Sequence, residues 1–468
     1  MQIGFDDSRK GLWAAAYAAA FVGVGGLIVL GAEAQSAAGD ARATLRAAVE
    51  AQGVEALQPP PAEPDALVEL GRMLFFDPEL SGNRNISCAT CHHPAFGIGD
   101  GLSVSFGSGG VGLGTGRDLA EGALIPRNAP EVFNRGDSHW HTMFWDSRVE
   151  IAADGTIHTP AGDQMFMWLD TPLALQAMFP VTSRDEMRGQ PGDIAADGRE
   201  NEIAAFEDED FVGMWQALAD RLLAIPAYVA LFQQAYPDVA VADLTFAHAA
   251  QAIAAFEIQA FAFTDSPWDR WLAGEDDALT DAQVEGALLF YGEAGCATCH
   301  SGPLMTDQQH HNIGTPQIGP GRGASAPLDF GRFLVSGEGA DLFGFRTPPL
   351  RNVALTGPWM HNGAFHTLDM AIRHHFDPSV CWTPDFQFVS LEAEIEPTIH
   401  REPGLRAAVL ASLAPELPRF QPTDAQVAAL AAFLEALSAP SVASTADQVP
   451  ATVPSGLPVD TVAAPGEY

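Results

Sequence analysis

Cys88-Ala89-Thr90-Cys91-His92 and Cys296-Ala297-Thr298-Cys299-His300 decide how this chain is read. Two thiols one helical turn apart, followed at once by a His, form the spacing for c-type haem attachment. The thiols add to the two haem vinyl groups, and the imidazole is held under the iron. A single copy would equally suit half a zinc site or a redox dithiol. Paired zinc motifs, however, lie roughly 15–20 residues apart, whereas these two begin at residues 88 and 296. Both copies carry the His. The reading is therefore two covalent haem c groups, held by Cys88, Cys91 and His92 and by Cys296, Cys299 and His300.

The rest of the composition is consistent with an exported, folded chain. At 468 residues and 47% apolar content it can build two to three packed domains. The fifth cysteine, Cys381, stands alone and reads as a buried thiol. Haem thioethers form outside the cytoplasm, which calls for an export signal. Arg9 and Lys10 precede an apolar run from Leu12 to Leu30, and Ala32-Glu33-Ala34 offers a cleavage site. The run also approaches membrane-spanning length, so residues 1–34 read as a cleaved signal or as an inner-membrane anchor. Either places the remainder in the periplasm. The net charge is −37 and Lys10 is the only lysine, which excludes a basic nucleic-acid surface. An acidic face could steer a basic partner protein, or simply be solvated.

Residues 35–64 are rich in Ala, Pro and Glu and read as a linker, and 441–468 as a disordered tail. Between them the chain is expected to be mainly α, with two cytochrome c-like haem domains, long loops and few short strands. The N-terminal haem domain is placed at 65–272 and the C-terminal one at 273–440. Helices are expected over 65–76, 211–235, 241–262, 280–291 and 426–437, with Thr280 as an N-cap. Leu74-Phe75-Phe76 and Leu289-Phe290-Tyr291 each lead into a haem motif, which suggests an internal duplication. Residues 149–170 read as a β-hairpin insertion. Residues 301–345 form a long Gly-rich loop suited to covering haem.

Beyond the haem motifs the chain carries Gly71-Arg72-Met73-Leu74-Phe75-Phe76-Asp77-Pro78, Asn128-Ala129-Pro130 and Phe144-Trp145-Asp146-Ser147-Arg148. Phe345-Arg346-Thr347-Pro348-Pro349-Leu350-Arg351-Asn352 and Thr356-Gly357-Pro358-Trp359-Met360-His361-Asn362-Gly363 follow. In order and spacing these segments resemble the bacterial di-haem cytochrome c peroxidase and MauG family, from about Ala66 to Ser438. The resemblance implies a haem peroxidase. It puts the acid/base carboxyl on Glu186 and its amide neighbour on Gln176. Trp145 matches the family Trp between the haems.

Two departures stand out. Resting peroxidases of the family cap the first iron with a His, and that position here is Ser108, a poor iron ligand. No other His lies between His93 and His139; His139 and His141 are given no role, though either could fold over the iron. The second iron takes Met or Tyr in family members, seven residues after a Leu. Here Leu368 leads to His375, with His374 as second choice. An inter-domain Ca²⁺ is also implied, on Asn128, Thr356 and Pro358.

The resemblance thus implies reduction of H₂O₂ at an open first haem. Electrons would come through a second, bis-His haem from a small cytochrome or cupredoxin, or from a side chain of a partner protein. The alternative is a di-haem electron carrier without peroxidase chemistry, which would need both irons capped.

Overall fold

A computed structural model describes residues 40–462. The candidate signal or anchor, Leu12–Leu30 with Ala32–Ala34, lies outside the described residues. Among those described, no single helix is long and apolar enough to cross a membrane.

Helix α1 covers residues 40–51, and α2 covers Asp65–Phe76. Helix α3 is the first haem motif, Cys88–Cys91, and α4 is Pro172–Ala177. Then follow α5 (Phe211–Leu223), α6 (Pro226–Ala235), α7 (Phe246–Ala260) and α8 (Pro267–Leu272). The C-terminal part holds α9 (Asp281–Tyr291), α10 (Phe333–Ser336), α11 (Leu368–Phe376), α12 (Pro403–Ala411) and α13 (Asp424–Glu435). The strands are short. β1 (Thr142–Met143), β2 (Val149–Ile151) and β3 (Ile157–His158) form one antiparallel sheet, with Met143 opposite Val149 and Ile151 opposite Ile157. β4 (His310–His311) pairs antiparallel with β5 (Phe345–Arg346).

The duplication is built at helix–helix contacts. In the N-terminal unit α2 packs on α7, and in the C-terminal unit α9 packs on α13. A Cβ on Gly71 would sit on the Ala252 carbonyl oxygen, with Phe256 beside it. A Cβ on Gly286 would sit in the same way on Ala429, with Phe433 beside it. Four residues beyond each glycine a ring meets the same partner: Phe75 lies 5.3 Å from Phe256, and Phe290 lies 5.2 Å from Phe433. The matching segments are Ala252-Ile253-Ala254-Ala255-Phe256 and Ala429-Leu430-Ala431-Ala432-Phe433. Small residues let the backbones approach, and the aromatic pairs then fill the space on either side. Both α9 and α13 open on a Thr-Asp-Ala-Gln capping box, Thr280 with Gln283 and Thr423 with Gln426.

Several expectations are corrected. Residues 35–64 are not simply a linker, because 40–51 are helical. Leu45 and Val49 are buried in the core of Trp268, Trp271 and Phe433, and Arg42 and Arg46 pair with Asp281 and Asp276 at 2.8 and 2.5 Å. The span 211–235 is two helices, since Pro226 has no N–H to continue the first. The span 241–262 is helical only over Phe246–Ala260. The hairpin strands occupy only part of 149–170, ending at His158.

The expected disordered tail is also ordered through residue 462. Pro440–Gln448 forms 3₁₀ turns, and Val442 and Val453 join the N-terminal core. The chain then crosses the first haem motif. The Asp460 carboxylate accepts from the Thr90 hydroxyl, the Asp460 carbonyl lies 3.3 Å from His93 Nε2, and Ser455 donates to Asp77 at 2.6 Å. An Ala/Pro/Ser-rich stretch can therefore be held by a few polar contacts that composition does not reveal.

Candidate active site

Two cavities, of about 190 and 150 Å³, lie in the C-terminal and N-terminal units respectively. Each is walled by one haem motif: Cys88, Cys91 and His92 line the first, Cys296, Cys299 and His300 the second. The imidazoles are oriented alike. His92 Nδ1 lies 3.4 Å from the Ile98 carbonyl oxygen and His300 Nδ1 lies 3.3 Å from that of Met305. A ring whose Nδ1 is engaged by a carbonyl presents Nε2 to a metal. Burial lowers the pKa of both to about 4, which keeps them neutral and able to bind iron. The donor sets therefore fit two haem c groups.

In the second cavity His375 stands across from His300, their ring centres 6.3 Å apart. Two metal–imidazole bonds of about 2 Å each, together with the distance from each nitrogen to its ring centre, span about that separation. His375 Nδ1 lies 2.8 Å from the Ala371 carbonyl oxygen, one turn back in α11, so its Nε2 too is turned inward. His374 points elsewhere. It is buried against Phe365, with ring centres 4.8 Å apart, and its Nδ1 lies 3.5 Å from Cys381 Sγ. The neighbouring imidazole thus belongs to the core, and Cys381 is buried as its isolation in the sequence suggests.

In the first cavity Glu186 and Gln176 both line the wall, together with Ser105, Gly107, Met143 and Met187. Gln176 is carried by α4 and Glu186 by the wide helical turn Arg184–Arg188. Burial raises the Glu186 pKa, and Arg148 and Arg322 partly offset it. A carboxyl raised in this way keeps its proton more readily than a free one, which suits a group that must pass a proton. Ser108 is not among the lining residues. Its hydroxyl bonds Asn83 and Asn85, both at 3.1 Å, while its N–H donates to the Glu186 carbonyl at 2.9 Å. Gly107 makes this approach feasible, because a Cβ there would strike the Asp185 carbonyl. His139 and His141 do not reach the cavity; His139 is exposed and paired with Asp137 at 2.6 Å.

Trp145 lines both cavities, and its indole N–H donates to the Asn128 carbonyl at 3.0 Å. Asn128, Pro130, Glu131 and Arg346 are likewise shared. Thr356 and Pro358, expected with Asn128 around a cation, line the second cavity as Asn128 does. Asn128 spends its side-chain N–H on the Leu102 carbonyl at 2.9 Å. Oxygen donors of this kind suit Ca²⁺.

Sequence reasoning missed three groups at these walls. Arg127, Arg148 and Arg322 all line the first cavity and converge on Asp146. Glu257 lines it too, and burial pushes its pKa to about 8. His361 lines the second cavity, stacked on Phe345 and 6.5 Å from the Trp145 ring. The last lies in the Trp-Met-His-Asn-Gly segment, which could have flagged it.

Comparison with known proteins agrees with this geometry. Residues 65–277 match the model of the di-haem cytochrome c peroxidase family. The chain is 29% identical over 384 residues to the methylamine utilization protein MauG of Methylorubrum extorquens, covering 82% of this chain and 81% of that protein. It is 32% identical over 304 residues to cytochrome c551 peroxidase of Pseudomonas aeruginosa, covering 65% of this chain and 70% of that one. The crystal structure of a MauG-like protein associated with microbial copper homeostasis superposes with a TM-score of 0.56 at 27% identity, over 83% of this chain and 95% of that one. The chain belongs to the di-haem cytochrome c peroxidase and MauG family. It is a c-type haem peroxidase with two haems, acting on peroxide with an electron donor or protein partner.

Proposed function

We propose that this peroxidase works with an open first iron and a closed second one. The observation that carries the reading is the contrast between the cavities. Among the described residues, His92 is the sole histidine lining the first, whereas His375 faces His300 across the second. When bound, the haems supply the iron at which H₂O₂ is reduced and a store for oxidising equivalents. Glu186 takes a proton from the nearer oxygen of peroxide and returns it to the departing oxygen, which leaves as water. Gln176, on the same wall, orients the peroxide through its side-chain amide. Trp145, in contact with both cavities, relays electrons between them. His375 opposite His300 gives the second site a lower potential than a thioether would.

Ser108 and His375 together favour a partner-protein side chain as the ultimate donor, as in the MauG branch; a small cytochrome or cupredoxin is the other donor considered. Asn128, Thr356 and Pro358 would hold Ca²⁺ at the junction. The haem motifs and the basic-then-apolar N-terminus support a periplasmic location. A di-haem carrier is the poorer reading, since it leaves Glu186 without a purpose. The test is the resting ferric spectrum followed by stoichiometric H₂O₂ without reductant. One high-spin and one low-spin haem, with an immediate change of the Soret band, is expected. Two low-spin haems that ignore peroxide until one electron is added would overturn the reading.

A further inference from the structure

Arg322 comes from the long loop of the C-terminal unit, yet its side chain lines the first cavity beside Glu186. Asp146, 1% exposed, is the anchor there. It takes Arg127 at 2.6 Å, Arg148 at 3.0 Å and Arg322 at 3.5 Å. Burial pushes the Asp146 pKa up, but these three cations outweigh it and hold the carboxyl well below the ordinary range.

The three arginines are not equally satisfied. Arg127 is fully committed, because Asp329 takes its Nε and second terminal nitrogen at 2.7 and 2.9 Å. Arg148 gives one nitrogen to Asp146 and lies 3.4 Å over the Phe144 ring, which leaves the rest of its fork free. Arg322 has only its 3.5 Å contact and no side-chain hydrogen bond among the described residues, and 29% of its side-chain surface is accessible. Three guanidiniums thus face two carboxylates, Asp146 and Asp329. Repulsion from Arg148, then burial, lowers the Arg322 pKa to about 10, which still leaves it charged at neutral pH. Burial raises the pKa of Glu186 on the same wall, so it offsets the surplus less than a free carboxylate would.

Unspent, pre-aligned N–H donors with excess positive charge form a receptor for a planar anion. We infer that Arg148 and Arg322, fixed by Asp146, form a carboxylate-binding site in the wall of the first cavity. Two sources present that chemistry: the propionates of the first haem, and a small diffusible carboxylate beside the peroxide site. The second would make the cavity sensitive to small organic anions.

The experiment compares the diferric holoprotein with Arg322→Gln and Arg148→Gln, with exposed, remote Arg199→Gln as control. Formate is titrated while the first-haem absorption is followed, and the midpoint potential of that haem is measured against pH. A diffusible occupant predicts formate binding weakened roughly tenfold or more in Arg322→Gln, as loss of a charge-assisted bond should give, with the pH profile of the potential unchanged. Propionates predict unchanged formate binding and a profile displaced to higher pH, because a carboxylate without its guanidinium holds its proton longer. A variant with wild-type haem content that shows neither change overturns the inference. Should Arg322→Gln fail to fold, Arg322→Lys decides on the same readings, since it keeps the charge and loses the fork. A first iron found closed would defeat the open-site reading but leave the potential measurement intact.

Discussion

The Glu186 carbonyl is tied to the Ser108 N–H, so the loop that could carry a capping ligand is fastened beside the proposed acid/base group. We expect Glu186→Gln to keep both haems and nearly the same spectrum, and to slow reaction with H₂O₂ by about 10²–10⁴. Stopped-flow mixing reads this, and an unchanged rate would remove Glu186 from the mechanism. The paired imidazoles of α11 allow a second test. His375→Ala should convert the low-spin ferric signal of the second haem to high spin in electron paramagnetic resonance. His374→Ala should leave that signal in place and cost stability instead, because it removes a ring packed on Phe365. The reverse pattern would exchange their roles. At this scale the haem cysteines and histidines were legible because covalent attachment requires contiguous residues. Glu186 and His375 are singled out only through resemblance, and the structure places both on cavity walls. The cluster on Asp146 was not legible: residues 127, 146, 148, 322 and 329 meet only after the units dock.

Helices announced themselves where periodicity and caps agreed. Thr280 and Thr423 open α9 and α13 with side chains bonded three residues on. At Ile225-Pro226 the proline divides a run whose apolar residues continue across it, and in Ala-rich α1 the two buried contacts, Leu45 and Val49, are too sparse for composition to separate a helix from a linker. The glycines at the helix crossings give a sharper test. Gly71→Ala and Gly286→Ala would each raise helix propensity in isolation. In the fold each methyl meets a backbone carbonyl, so each should destabilise by about 1–3 kcal/mol. Denaturant unfolding of the holoprotein measures it; a stabilised variant would show that the crossing is looser than described.

Across the whole molecule two devices stand out among the contacts that join the halves. One is the arginine cluster, in which Arg127 and Asp146 of the N-terminal unit meet Arg322 and Asp329 of the C-terminal unit. The other is the C-terminal segment, which leaves α13, adds Val442 and Val453 to the opposite core, and ends across Cys88–Cys91. Ending the chain at Ala439 should lower the thermal midpoint by several degrees while leaving two haems per chain. Differential scanning calorimetry and haem stoichiometry read the two effects separately. Loss of the first haem would mean that the segment is needed for attachment rather than for closure.

That crossing covers the first attachment site with a distant part of the chain. Thr90 lies inside the attachment motif and His93 directly beyond it, and both are engaged by Asp460. A lyase must reach the Cys88 and Cys91 thiols before that lid is laid down. Access to the thiols and closure of the segment over them are thus competing states of the same chain, and a variant whose segment docks more weakly would stay open to the lyase for longer.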